Sequence, residues 1–163
     1  MTAWKWTALV AILALAGVAV FGQDMDPAFY GRWKLDLAKS AFGSQAPPKT
    51  GLVAITPQGW VLAMVNAKGD LTALAVTRGP QGACGLIGLP PGFSCEQTIT
   101  GARTSTWILK NKNATVETAE IELLADNATM RVKTKITPPQ GEPYTAEELW
   151  TKVPPPSPPP KKQ

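Results

Sequence analysis

Histidine is absent from all 163 residues. Without it, a serine triad or a histidine general base is excluded, and the usual metal cages lose their commonest ligand. Cysteine is scarce as well, with Cys84 and Cys95 the only two. Two thiols are too few for a metal cage, and neither has an imidazole to activate it as a nucleophile. Charge is thin: the formal net charge is +4, with Lys5 near the start and Lys161 and Lys162 at the end, so the stretch between is nearly neutral. No cluster of Lys or Arg interleaves with aromatics, which excludes a nucleic-acid-binding face. No glycine-rich loop leads into a helix to cradle a phosphate, so no cofactor is expected. Helical periodicity of useful length is missing between the two ends of the chain.

Two terminal segments separate from the rest. Residues 1–22 carry Lys5 and then an uncharged run, Thr7 to Gly22, rich in Ala, Leu and Val. That is the layout of a secretory signal peptide, with Val20 and Gly22 as small residues before a cut. The run is shorter than the ~20 residues a bilayer span needs. An exported protein, periplasmic or extracellular, is therefore expected, with no stable membrane span once the leader is gone. No cysteine lies near the cut to carry a lipid. At the other end, residues 153–163 read VPPPSPPPKKQ. Proline fixes φ and removes backbone donors, so this tail is expected to be an extended polyproline II rod. It reads as a solvated end, or as a ligand through which Pro154 to Gln163 meet an envelope partner. Residues 23–152 are left for one folded domain.

In an exported chain the default for Cys84 and Cys95 is a disulfide. It would close the segment CGLIGLPPGFSC and contribute ~3 kcal/mol in the chain-entropy model.

Between the two ends the chain reads as short strands. Asp26-Pro27 looks like a cap and a first-turn proline, predicting one helical turn over Pro27 to Tyr30. Gly31 to Leu37 follows, with Trp33, Leu35 and Leu37 on one face and Arg32, Lys34 and Asp36 on the other. Further strands are expected over Gly51–Thr56, Trp60–Val65, Leu71–Thr77, Cys95–Thr100, Arg103–Asn111, Ala114–Leu124, Ala128–Thr137 and Tyr144–Val153. Around Leu62 and Met64 the alternation weakens, and the glycine-rich stretch Arg78 to Ser94 does not read as strand throughout. One hairpin fixes its own register. With Asp126 and Asn127 at the turn, Leu123 faces Met130, Ile121 faces Val132 and Ala119 faces Thr134, while Glu122 faces Arg131 and Glu120 faces Lys133. Apolar meets apolar and acid meets base, and a slip of one residue destroys both matches. Eight or nine antiparallel strands in an up-and-down meander are best closed or partly closed into a barrel, which removes exposed edges.

Phe29-Tyr30-Gly31-Arg32-Trp33 resembles the first-strand motif of the lipocalin and calycin barrels, where a short helical turn leads into Gly-x-Trp. The run GRWKLDLAKSAF, with a meander ending in ELWTKV, is similar to a group of small exported bacterial lipocalin-like proteins. The resemblance implies that Gly31 and Trp33 close one end of the barrel. That family also sets an arginine near the chain end against the tryptophan and ends in a helix. This chain has no arginine after Arg131 and ends in the proline tail.

The function expected is binding of a small apolar or amphipathic molecule without transforming it. The candidate ligand-binding residues are Trp60, Met64, Leu89, Phe93 and Trp107, with Leu86, Ile87, Leu89 and Phe93 of the bridged loop as lid or plug. The alternative is a scaffold acting through that loop or the tail. Carboxylates for acid–base work exist as Glu147-Glu148 and as Glu117, Glu120 and Glu122, the latter group read as a solvated face paired with Arg131 and Lys133. Two Asn-Ala-Thr sequons, at Asn113 and Asn127, fall at turns where asparagine suits the backbone.

Overall fold

The computed structural model describes residues 25–155, so the expected leader and most of the proline tail lie outside the described residues. Ten antiparallel strands form one closed barrel in sequence order. They are β1 (Gly31–Leu35), β2 (Thr50–Thr56), β3 (Gly59–Val65), β4 (Leu71–Arg78), β5 (Ala83–Ile87), β6 (Phe93–Gly101), β7 (Thr104–Asn111), β8 (Ala114–Leu123), β9 (Thr129–Ile136) and β10 (Tyr144–Val153). The seam is formed by the first and last strands, with Arg32 opposite Val153 and Leu35 opposite Trp150.

The tenth strand corrects the expected count of eight or nine. It is β5, which lies inside the stretch that its glycines made illegible as a strand. Four residues on β4 find partners on it, Ala75 to Arg78, while β6 meets it only through Ala83–Glu96 and Cys84–Cys95. β1 also ends two residues earlier than expected, so Leu37 is exposed rather than inward. The chain turns there, with the Ser40 hydroxyl donating to the Asp36 carbonyl at 2.7 Å.

One rim is plugged. Pro27–Phe29 forms the expected short turn, a 3-10 helix, capped by Asp26 Oδ1 accepting from Ala28 N–H at 2.8 Å. Trp33 is wholly buried beside Phe29, and its indole N–H donates to the Phe29 carbonyl at 2.8 Å. Met25, Leu35, Val53, Ile55, Leu123, Met130 and Trp150 complete this cluster. A cation does sit against the tryptophan, but it is a lysine: Lys152 Nζ lies 5.2 Å from the Trp33 ring centroid. Arg103 ties the plug to the wall, reaching Asp26 Oδ2 at 3.3 Å, the Leu123 carbonyl at 3.0 Å and Asn127 Oδ1 at 2.7 Å. Gly31 has φ +132°, a conformation L side chains avoid, and a Cβ added at this position would meet only the flexible end of Lys152, at 3.3 Å. Its glycine is thus required by the backbone angle more than by close approach.

The β8–β9 hairpin has the expected register at every position, from Leu123–Met130 to Ala119–Thr134, with Glu122 opposite Arg131 and Glu120 opposite Lys133. Glu122 and Arg131 form an ion pair. Asn127 takes φ 56° at the turn, and Asn113 takes φ 71° at the β7–β8 turn, which accounts for asparagine at both sequon positions. The weak alternation in β3 has a cause too. Its inward residues are Trp60, Leu62 and Met64, but the outer face of β2 to β5 is also uncharged, carrying Leu52, Val61, Leu71 and Ile87 in exposed positions. Both faces being apolar erases the period-2 signal.

A Cys84–Cys95 disulfide is present, with Cα atoms 5.5 Å apart, joining directly opposed residues of β5 and β6. No helix among the described residues is long and apolar enough to cross a membrane.

Candidate functional site

The barrel encloses a cavity of about 430 Å³. Its wall is built by period-2 alternation: Val53 and Ile55 from β2, Trp60, Leu62 and Met64 from β3, Ala119 and Ile121 from β8, and Met130, Val132, Thr134 and Ile136 from β9. The plugged rim supplies Met25, Trp150 and Arg78. At the opposite rim the connection from β1 to β2 reaches over the mouth, placing Phe42, Gln45, Ala46 and Pro48 on the cavity. That connection is sewn to β10: Ala41 and Glu147 exchange backbone hydrogen bonds, both 2.8 Å, and the Leu149 N–H donates to Ser40 Oγ at 2.9 Å.

Of the residues proposed from sequence to meet a ligand, Trp60, Met64 and Trp107 line the cavity. Trp60 and Trp107 meet edge to face across the interior, ring centroids 5.1 Å apart. Leu89 and Phe93 do not line it. They pack with Leu86 against a second apolar cluster around Val76, Cys95, Trp107 and Leu109, while Ile87 points outward and is exposed. The bridged segment is therefore a wall hairpin, and the mouth is covered instead by the β1–β2 connection.

The carboxylates named from sequence are regrouped: Glu148 does not act with Glu147, and Glu117 is not on the solvated face with Glu120 and Glu122. Glu117 and Glu148 both line the cavity, with Tyr144 beside them on the same wall. The register places them: Glu117 of β8 is opposite Ile136 of β9, Ile136 is opposite Tyr144 of β10, and Glu148 is opposite Val132. Burial raises the pKa of Glu117, and the neighbouring Glu148 raises it further, while a hydrogen bond from the Trp107 side chain pulls the other way. Burial likewise raises Glu148, opposed by the Trp150 indole N–H that donates to Glu148 Oε2 at 3.0 Å. Tyr144 is raised by burial and then by the two carboxylates. The signal was available. Glu117 shares its parity with Ala119, Ile121 and Leu123, whereas Glu120 and Glu122 have the other parity and face out.

Two further polar atoms in the cavity lining are buried without a partner among the described residues, Gln97 Oε1 and Arg78 Nε. Arg78 is otherwise held at the plugged end by the Pro57 carbonyl at 3.4 Å and by Met25 Sδ. No grouping of three or more Cys, Asp or Glu side chains among the described residues is arranged to hold a metal ion. No family model, curated protein or solved structure matches this chain. The closed antiparallel barrel is compatible with a lipocalin-like fold, and the function has to be read from the cavity itself.

The two raised carboxyls carry a pH dependence whose sign is fixed. In the unfolded chain each titrates near its ordinary 4.5, and in the barrel it holds its proton to higher pH. The folded state therefore binds more protons across that window, so their contribution to stability is full below the unfolded value and is lost as pH rises through the folded one. Urea midpoints measured from pH 4 upward should fall with pH in the wild type. The slope should flatten in the Glu117→Gln, Glu148→Gln double variant. Parallel pH profiles for the two proteins would show that neither carboxyl is titrated by the fold.

Proposed function

We propose that this protein is an exported, lipocalin-like barrel that binds a small amphipathic molecule in its interior without transforming it. The cavity carries this reading: at about 430 Å³ it lies within the usual size range of small-molecule sites, and its wall is largely aliphatic and aromatic with a few polar groups. A mouth covered by one sewn-down connection, opposite a rim plugged by Trp33, is an arrangement suited to holding a guest. Export is supported by the signal-like residues 1–22 and by the disulfide, which suits an oxidising compartment. The carboxyls are read as binding groups because each faces apolar side chains and an indole N–H, in a chain with no histidine to pass a proton onward.

Purified mature protein, incubated with a lipid extract and weighed intact under native conditions, should carry a bound mass. Ala146→Phe, which places a ring in the cavity lining, should fold and lose that mass. A wild-type protein that emerges without a guest and leaves its tryptophan fluorescence unchanged would refute binding.

A further inference from the structure

The cavity is not evenly polar, and its two carboxyls share one lining. Glu117 and Glu148 contribute carboxyl oxygens, and neither forms an ion pair among the described residues. Glu148 Oε2 accepts from the Trp150 indole N–H at 3.0 Å, and the Trp107 side chain works to lower the pKa of Glu117. Gln97 is 8% exposed, and its Oε1 accepts nothing among the described residues. Around these acceptors stand the aromatic rings of Trp60, Trp107, Trp150 and Tyr144. The titratable groups on the lining, among the described residues, are Glu117, Glu148, Tyr144 and Arg78. Arg78 is the one cation among them, and it is engaged at the plugged end.

Two half-buried carboxylates line one cavity, with Glu148 near enough to raise the pKa of Glu117, and holding both as anions with no cation paired to either is costly. A guest with a positively charged, hydrogen-donating head group removes that cost, because it pairs with both carboxylates at once. The aromatic faces add cation–π attraction for the same head group, strongest where it is desolvated. Its apolar part then occupies the aliphatic remainder of the wall. An anionic guest would have to approach two carboxylates to reach Arg78, and a neutral alcohol would leave the carboxylate charge uncompensated.

Resting on the binding reading above, we infer that the guest is an amphipathic organic cation, an apolar molecule bearing a protonated amine that Glu117 and Glu148 receive together. Decylamine, decanol and decanoate share one alkyl chain and differ only in head group. Calorimetry at pH 8 should show decylamine binding at least tenfold more tightly than decanol, with decanoate weakest. In the Glu117→Gln, Glu148→Gln double variant the amine-to-alcohol ratio should collapse to within about twofold while decanol binds at least as tightly as to the wild type, and that binding reports an intact cavity. Lowering the pH should weaken decylamine as the carboxyls take up protons and should not weaken decanol. If decanoate binds best, or if the amine preference survives the double variant, the inference is overturned while the cavity reading stands. If none of the three binds, the cavity reading itself fails.

Discussion

Replacing Trp33 with alanine should cost about 3–5 kcal/mol of folding stability, the range for truncating a buried large aromatic. The side chain is at 0% exposure and packs against Phe29, Leu35, Ile55 and Trp150, so the hole left behind lies inside the plug with little room to collapse. Three attachments go with the ring. The indole N–H no longer reaches the Phe29 carbonyl, Lys152 loses the face it covers, and the capped turn Pro27–Phe29 loses its seat. Trp33→Phe separates these contributions: it keeps most of the apolar contact and should lose about 1–3 kcal/mol, chiefly from stranding a buried carbonyl. Urea unfolding of the three proteins checks the order. A loss under about 1 kcal/mol for Trp33→Ala would mean that the rim is not closed by this residue.

Removing the disulfide, as Cys84→Ala with Cys95→Ala, should cost about 3 kcal/mol in the chain-entropy model for a loop of this length. The bridge spans 11 residues and acts where the wall is thinnest, since β5 and β6 are in register at only two positions. Released from it, β5 depends on its ladder with β4. Hydrogen exchange should therefore quicken first over Ala83–Ile87, ahead of β7 to β10. Unchanged stability, or exchange that quickens evenly around the barrel, would show that the hairpin holds without its covalent tie.

Much of the architecture is legible from local chemistry. The β8–β9 register follows from charge and apolarity agreeing on a single alignment, and the start of β1 follows from a capped proline turn leading to a glycine that the backbone angle requires. What escapes has physical causes. β5 is short, contains glycine and makes few ladder contacts, so its strand character comes from β4 beside it. The inward turn of Glu117 is recorded in parity, yet a glutamate in a strand rich in Glu and Thr reads as solvated until closure decides which face is interior. The lysine over Trp33 depends on the seam, which sets the last strand beside the first, and no local pattern in either strand announces it. Leu89 and Phe93 look like cavity residues because they are apolar and lie in a bridged loop, but the bridge joins neighbours in the wall, and both side chains pack onto the cluster around Val76, Trp107 and Leu109 and do not line the cavity.

The seam has a consequence for orientation. Because Gly31 enters and Val153 leaves at the same rim, the plugged one, whatever is joined to the barrel at either end is joined there. The mouth is bordered only by connections within the chain. A barrel fastened to a surface, a partner or a second domain by either of its ends would thus present its opening away from the point of attachment, with Trp33 at its base and the β1–β2 connection facing outward.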